Sequence, residues 1–173
     1  MTLIVETGAI VPNANSYASL AQADARHGAS TGADAWDNLD PQQKEQRLVT
    51  ATRRLDALFD WVGNAYSADQ PLGFPRRDLH DQTGRPVYMK AVPAAVRNAT
   101  IDLALWLPED TAAAATTDDV IEEITLGPIG IKMAAATGTT PAARPLIPSD
   151  IVMALRNYGS YAAGGAGVGR LIR

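Results

Sequence analysis

A single long helical period between residues 40 and 62 constrains the fold more than any other feature of the sequence. Asp40-Pro41 is a strong helix start, because aspartate accepts hydrogen bonds from the free amides of the first turn and proline suits the first helical position. Apolar residues then recur at three- and four-residue spacing, up to Gly63. The sequence therefore predicts a helix of about six turns with these residues on its buried face: Leu48, Ala51, Leu55, Leu58, Phe59 and Val62.

Three shorter segments also have helical patterns. Ser19 lies three residues before Gln22, which is the spacing of a capping box, and predicts a helix over residues 19–27. Two further helices are predicted over residues 93–107 and 149–158, each beginning at or just after a proline. The predicted fold class is therefore mainly α, with a small bundle of about four helices.

The connection between the second and third of these helices is unusually long. Residues 64–91, called the excursion below, contain several prolines and glycines and have no helical period. A connection of more than about 15 residues in a compact domain usually has a function or is disordered. Because Leu72-Gly73-Phe74-Pro75 is too apolar for simple disorder, we expect a folded segment that packs on something, such as another subunit.

A change of period near residue 120 predicts a β-hairpin over about residues 119–133, with Gly127-Pro128 at the turn. The final residues, 159–173, are rich in glycine and alanine and predict a flexible C-terminal tail. The predicted division is thus a helical domain over residues 1–158, which includes the hairpin, and a tail used for docking to a partner.

Charge and composition exclude some classes of function. The net charge is −4 and the sequence pI is about 5.1, whereas a chain whose main task is to bind phosphates is usually basic. The absence of cysteine excludes disulfides and thiolate sites. No apolar run reaches the roughly 18 residues of a membrane span, and the N-terminus does not resemble a secretory signal. We expect a protein without membrane contact that is made in the cytoplasm.

The sequence contains no constellation that predicts catalysis or a cofactor. Asp78, His80 and Asp81 form the one cluster resembling a metal or acid–base site, but their spacing fits no known motif and favours an exposed polar loop. The glycines of residues 164–169 do not follow a strand or open a helix, so they predict a tether rather than a phosphate loop. We expect no enzymatic activity, no metal and no cofactor.

Five arginines are candidates for contact with DNA, although arginine is also the preferred cation for ion pairs at protein interfaces. Arg53 and Arg54 share their helix with Asp56 and Asp60, which favours a solvated face or one with salt bridges between subunits. Clustered aromatic residues, which single-strand stacking requires, are missing from the sequence pattern. The remaining three arginines lie in the excursion: Arg76, Arg77 and Arg85.

Short motifs spread over nearly the whole chain have the order and spacing of a known family. The chain opens with Glu6-Thr7-Gly8, and Leu72-Gly73-Phe74-Pro75-Arg76 matches a Leu-x-Trp-Pro-Arg pattern in which Phe74 replaces tryptophan. Further matches are Val11-Pro12, Ala14-Asn15-Ser16-Tyr17, Ser19-Leu20, Lys44-Glu45, Ala51-Thr52, Leu55-Asp56 and Val92-Pro93-Ala94-Ala95-Val96. In these motifs the chain resembles phage proteins named putative DnaT-like single-stranded-DNA-binding proteins.

The resemblance implies a structural role, because such proteins are similar to the head–tail connector adaptors of long-tailed bacteriophages. These adaptors are mainly helical and form a twelve-fold ring below the portal. The implied partners are other copies of the chain, the portal protein, and a stopper or tail-completion protein. Genomic double-stranded DNA would pass through the ring without specific binding. The implied location is the virion neck, after assembly in the host cytoplasm.

The resemblance also implies which segments make these contacts. The tail would dock into the portal, and the excursion and the hairpin would contact neighbouring subunits and neck proteins. The predicted docking residues of the tail are Tyr158, Tyr161, Arg170, Leu171, Ile172 and Arg173. The predicted ring and neck contacts are Phe74, Arg76, Arg77, Tyr88, Ile129 and Ile131.

The family name itself indicates the alternative function, a phage single-stranded-DNA-binding protein that assists replication. The two functions predict different responses to salt. Binding to phosphates weakens steeply with salt, with a log–log slope of about −0.7 for each phosphate neutralised on a single strand. An adaptor whose channel lets DNA slide would show no such binding at physiological salt.

Overall fold

The computed structural model describes residues 2–31, 33–80, 84–86, 90–107, 124–126, 129–131 and 146–161. The chain divides into two units, one formed by Met1–Leu107 with Ile147–Arg173 and the other by Pro108–Leu146. The described part of the first unit contains five helices: α1 Leu20–Gly28, α2 Ala33–Asp37, α3 Pro41–Leu58, α4 Ala94–Trp106 and α5 Ser149–Leu155. Its described strands are β1 Phe59–Trp61, β2 Asn64–Ala65, β3 Arg76–Arg77 and β6 Gly159–Tyr161.

The two helix starts that are strongest in the sequence are confirmed. Ser19 and Gln22 form a reciprocal capping box at α1, in which each side chain accepts a hydrogen bond from the other residue's amide. Asp40 and Gln43 do the same at α3, with Pro41 at the first helical position. Hydrogen bonds between residues three positions apart therefore account for both helix starts.

The core of the first unit lies where α3 packs on α4 and α4 packs on α5. Leu55, on the predicted apolar face of α3, is fully buried, and so is Trp36 in α2. The Trp36 indole Nε1 donates a hydrogen bond of 2.7 Å to the Asp24 carboxylate. Other large side chains that are almost fully buried are Tyr17, Leu48, Phe74, Val96, Ile101, Leu103 and Leu155.

The prediction of about four helices is confirmed only in outline, because the protein is mainly helical but has one more helix. The extra helix, α2, is five residues long and lies between the first two predicted helices. Trp36 explains the difference, because its ring packs 4.6 Å (centroid to centroid) from His27 and fixes this segment against α1. A helix this short has almost no periodicity for a sequence pattern to reveal.

The predicted end of the long helix is wrong by four residues. Helix α3 ends at Leu58, and Phe59 adopts an extended conformation at its C-terminus. Strand β1 then pairs antiparallel with β6, with Phe59 opposite Tyr161 and Trp61 opposite Gly159. Packing explains this ending, because the extended chain lets Trp61 stack on Phe59 and pack edge-on against Phe74.

The excursion is partly folded, as expected from its apolar residues. Strands β2 and β3 pair antiparallel, with Asn64 opposite Arg77 and Ala65 opposite Arg76. The turn before β2 contains Gly63 at φ +77°, where a side chain would overlap the Arg77 carbonyl oxygen. The two strands therefore approach each other closely only because this position is glycine.

In the second unit, the described residues form the predicted hairpin, although its strands are shorter than expected. Strand β4, Ile124–Leu126, pairs antiparallel with β5, Ile129–Ile131. The predicted division at residue 158 stays a prediction, but Gly159–Tyr161, the first residues of the predicted tail, are paired as β6. None of the helices in the described ranges is long and apolar enough to cross a membrane.

Candidate functional site

A buried carboxylate anchors the start of the excursion to the helical core. Asp56 Oδ1 accepts hydrogen bonds from the Tyr17 hydroxyl at 2.7 Å and the Trp61 indole at 2.9 Å, and Oδ2 accepts one from the Gly73 amide at 3.0 Å. Burial raises the pKa of Asp56, and these donors oppose that rise because they favour the ionised form. Asp56 thereby ties α3 to the N-terminal segment, to β1 and to the excursion.

Arg76 fixes the turn that follows β1. Its guanidinium donates hydrogen bonds to the carbonyl oxygens of Trp61 at 3.1 Å, Val62 at 2.8 Å, Gly63 at 2.6 Å and Gly73 at 3.2 Å. A planar guanidinium can satisfy several carbonyls at once, which an ammonium on a flexible stem cannot do in the same way. Arg76 is therefore directed inward and serves the structure of the excursion.

The next residue, Arg77, is directed outward and forms part of a cluster of two cations around one ring. The Arg77 guanidinium carbon lies over the Tyr66 ring, 5.2 Å from its centroid, and the Lys90 ammonium lies over the same ring at 5.2 Å. Arg77 also donates a hydrogen bond of 3.1 Å to the Tyr66 carbonyl oxygen. We call Tyr66, Arg77 and Lys90 the tyrosine–cation patch. Both cationic side chains are exposed.

The backbone at both ends of the patch is held in place. The Gln70 amide oxygen accepts hydrogen bonds from the amides of Tyr66 and Ser67, at 2.8 and 3.0 Å. Lys90 has φ +66°, a left-handed conformation that is uncommon for a residue with a side chain. Gly8 packs so closely on Lys90 that a side chain at Gly8 would overlap the Lys90 carbonyl oxygen.

The N-terminal motif supports this contact. The Glu6 carboxylate is buried and accepts hydrogen bonds from the amides of Gly8 at 2.7 Å, Ile10 at 3.0 Å and Val11 at 2.8 Å. These bonds close a tight loop that presents Gly8 to Lys90. The opening Glu6-Thr7-Gly8 motif therefore positions Lys90, a role that the sequence alone did not indicate.

Two cations of the helical bundle, Arg26 and Lys44, differ from those of the patch, because carboxylates neutralise them. Arg26 makes a bidentate ion pair with Asp102, with both N–O distances 2.7 Å, and Lys44 pairs with Asp24 at 3.1 Å. Within the described ranges, neither Arg77 nor Lys90 lies within 4.0 Å of a carboxylate oxygen. As far as the described residues show, the patch therefore offers two positive charges without a carboxylate partner to an anionic ligand.

A groove between α1 and α4 is a second candidate site but offers less to an anion. Its volume is about 750 Å³, within the size range of ligand sites. Arg26 and Asp102 line it and already neutralise each other, and Ile101 and Leu105 contribute apolar surface. Arg97 is the remaining cation of its lining. A single guanidinium beside an internal ion pair is a weaker phosphate site than two adjacent cations.

The structure places the predicted contact residues in different environments. Phe74 is fully buried and Arg76 is used internally, so among the predicted contacts of the excursion Arg77 is the described one directed outward. Tyr158 and Tyr161 are partly buried and pack against the core. Ile129 and Ile131 lie in strand β5, whose backbone pairs with β4. Five predicted residues lie outside the described ranges: Tyr88, Arg170, Leu171, Ile172 and Arg173.

The other candidate clusters gain no support as sites. Asp78 accepts a hydrogen bond from Asn64 at 3.1 Å and His80 is exposed, whereas Asp81 and the glycines of residues 164–169 lie outside the described ranges. No group of three or more histidine, aspartate or glutamate side chains suited to a metal occurs in the part of the chain that the structure describes. Arg53 is exposed on α3 and is not part of the patch.

Tyr66, Lys90 and Asp56 were not identified as site residues from the sequence. Tyr66 and Lys90 are 24 positions apart in a region without periodicity, so no spacing rule relates them. Asp56 was interpreted as a solvated acid on α3, because helical spacing does not show that an indole and a backbone amide will cover it. The Glu6-Thr7-Gly8 motif stood out in the sequence as part of the family pattern, but only the structure shows that it contacts Lys90.

Comparison with known proteins supplies a family. A family model described as "Putative DnaT-like ssDNA binding protein" matches residues 1–173, the whole chain. Comparisons with curated proteins and with solved structures gave no match.

This match overturns the prediction of a structural head–tail connector. The match also contradicts four related predictions: the virion-connector role, the ring on a portal, the stopper or tail-completion partner, and the passage of double-stranded DNA without binding. The error arose because the resemblance was taken to imply a connector, and the net charge of −4 was taken to support that choice. Net charge also counts acids that neutralise bundle cations, such as Asp102 and Asp24, so it does not show that Arg77 and Lys90 have no carboxylate partner among the described residues.

Proposed function

The chain belongs to the putative DnaT-like ssDNA binding protein family, and on that premise we propose that it binds single-stranded DNA through the tyrosine–cation patch. Phosphate oxygens of the strand accept hydrogen bonds from Arg77 and Lys90. The activity is binding and not catalysis, and it serves an accessory role in replication. No observation tests the predicted location of the protein, so that stays a prediction.

One observation carries the proposal: two exposed cations lie over one tyrosine ring without a carboxylate partner among the described residues. Cation–π contact holds both charges at a fixed place without neutralising them. Phosphates bound there would release counterions, which is the main source of affinity in non-specific nucleic-acid binding. Arg26 and Lys44 on the bundle cannot contribute in the same way until their ion pairs break.

The proposal is tested by measuring the anisotropy of a labelled oligo-dT strand during titration with protein at several salt concentrations. The Arg77→Ala, Lys90→Ala double variant should bind about tenfold more weakly or worse at low salt, because it loses two charge-assisted contacts. Its log–log salt slope should move toward zero by about 1.4, that is about 0.7 for each lost phosphate contact.

A matched control removes the same charge elsewhere. Arg156 is exposed at the C-terminal end of α5, and Arg53 is exposed on α3. The Arg53→Ala, Arg156→Ala double variant has the same net charge as the patch variant but should retain the wild-type affinity and slope. If the two double variants lose equal affinity, binding follows overall charge and the patch is not the site.

A further inference from the structure

The polar groups around the patch leave little with which to recognise a base or a sugar. Direct readout of a base edge, or of the 2′-hydroxyl of RNA, requires free donors and acceptors at the site. The Gln70 amide holds the Tyr66 backbone, but its oxygen accepts from two backbone amides and its nitrogen donates to the carbonyls of Leu72 at 2.7 Å and Pro75 at 3.1 Å. All of its capacity is used within the excursion.

Aromatic surface for stacking is also occupied. Two cations lie over the Tyr66 ring. Trp61 is stacked on Phe59 at 5.1 Å and packs edge-on against Phe74 at 5.0 Å, and the backbones of Gly73 and Gly159 leave no room beside it. Proteins that bind single strands by stacking need uncovered rings. Tyr66 therefore supplies the position of two charges rather than a face for a base.

We infer that the tyrosine–cation patch contacts the phosphodiester backbone alone, and that it therefore binds single-stranded RNA with the same affinity as single-stranded DNA of the same base composition. This inference rests on the proposed function and extends it to a wider class of substrate. Phosphate contacts position a strand without carrying sequence information. The phosphates are chemically the same in both polymers, and the Gln70 amide beside Tyr66 has no free donor or acceptor with which to detect the 2′-hydroxyl.

The experiment compares oligo-dU, oligo-rU and oligo-dC of equal length by anisotropy titration at several salt concentrations. The first two strands differ only in the 2′-hydroxyl, and the first and third differ only in the base. We expect affinities within about twofold of one another, and equal salt slopes that the Arg77→Ala, Lys90→Ala variant reduces by about 1.4 for every strand. The Arg53→Ala, Arg156→Ala control variant, which removes the same charge outside the patch, should keep all three affinities.

The outcomes separate this inference from the function on which it rests. Binding of oligo-dU with a tenfold or larger loss for oligo-rU would overturn the inference and leave the proposed function standing. A tenfold difference between oligo-dU and oligo-dC would likewise show that bases are read. No binding to any of the three strands at low salt would overturn the proposed function itself.

Discussion

The helical bundle and the excursion use the same types of cationic residue for different purposes. On the bundle, Arg26 and Lys44 are paired with Asp102 and Asp24. In and beside the excursion, Arg77 and Lys90 lie over Tyr66 and have no carboxylate within ion-pairing distance among the described residues. The local partners of a cation, and not its residue type or the net charge of the chain, therefore decide whether it remains available to a ligand.

The contrast continues between two adjacent residues of the excursion. Arg76 donates to four backbone carbonyls, and Arg77 is exposed beside a tyrosine. One arginine therefore contributes to stability and the other to binding. Substitutions can separate the two contributions, and the expected effects decrease in the order given below.

The largest effect is expected at Asp56, which joins the two regions. Asp56→Ala would leave the Tyr17 hydroxyl, the Trp61 indole and the Gly73 amide without their acceptor, so the free energy of unfolding should fall by about 3 kcal/mol. Urea unfolding followed by tryptophan fluorescence measures this loss. Asp60→Ala, an exposed acid on β1, is the control and should change stability little. Equal losses in both variants would contradict the role of Asp56 as the junction.

The second effect separates Arg76 from Arg77. Arg76→Lys should lower the free energy of unfolding by about 2 kcal/mol, because one ammonium cannot satisfy the same four carbonyls. Arg77→Lys should change neither stability nor oligo-dT affinity by a measurable amount, because the charge over Tyr66 is kept. The comparison breaks down if the Arg77 substitution is the more destabilising of the two.

A third prediction concerns pH and the bundle alone. Burial lowers the pKa of His27, whose Nε2 lies 3.1 Å from the Ile101 carbonyl oxygen and whose ring packs on Trp36. Below pH about 6.5 the unfolded chain takes up a proton that the folded chain does not. The free energy of unfolding should therefore decrease as the pH is lowered, by at most about 1.4 kcal/mol per pH unit.

Charged groups near His27 do not change the sign of this effect. Asp24, Arg26 and Asp102 face it, and the hydrogen bonds from Trp36 and Lys44 outweigh burial and lower the pKa of Asp24, which stays ionised near neutrality. Urea midpoints at pH 7.5 and 5.5 should therefore converge in His27→Gln and remain apart in His80→Gln, the exposed histidine. The same separation in both variants would assign the pH effect to other groups.

The smallest effects are expected at the paired cations of the bundle. Arg26→Ala and Lys44→Ala should each cost about 0.5 kcal/mol of stability, because surface ion pairs contribute little. Neither should reduce oligo-dT affinity, although each removes a positive charge. A tenfold loss of affinity in either variant would show that bundle cations also contact the strand and would remove the contrast between the regions.

Local chemistry made much of the fold predictable. The capping boxes of Ser19 and Asp40 and the buried position of Leu55 follow from short sequence patterns, and the structure confirms them. The end of α3 was not predictable in this way, because Phe59 and Val62 continue the helical spacing, but Phe59 is held in a strand by Tyr161, about 100 residues away.

The candidate site was less predictable than the fold. Arg77 was singled out from the sequence, but beside Arg76, and only the structure separates their roles. Tyr66 and Lys90 come together through Gly8 and the loop closed by Glu6, which are contacts between distant segments. Charge balance over the whole chain could not reveal the site, because pairing with Asp24 and Asp102 is a property of the folded protein.

Lysine reactivity gives the most direct test of the central claim, because the chain has three lysines and two of them represent the two regions. Acetylation of Lys90 and Lys44 would be quantified by mass spectrometry with and without saturating oligo-dT, at low salt. If the tyrosine–cation patch is the binding site, the strand should protect Lys90 and leave the labelling of Lys44 unchanged. Equal labelling of Lys90 with and without the strand, in protein that binds it, would contradict the claim that the tyrosine–cation patch is the binding site.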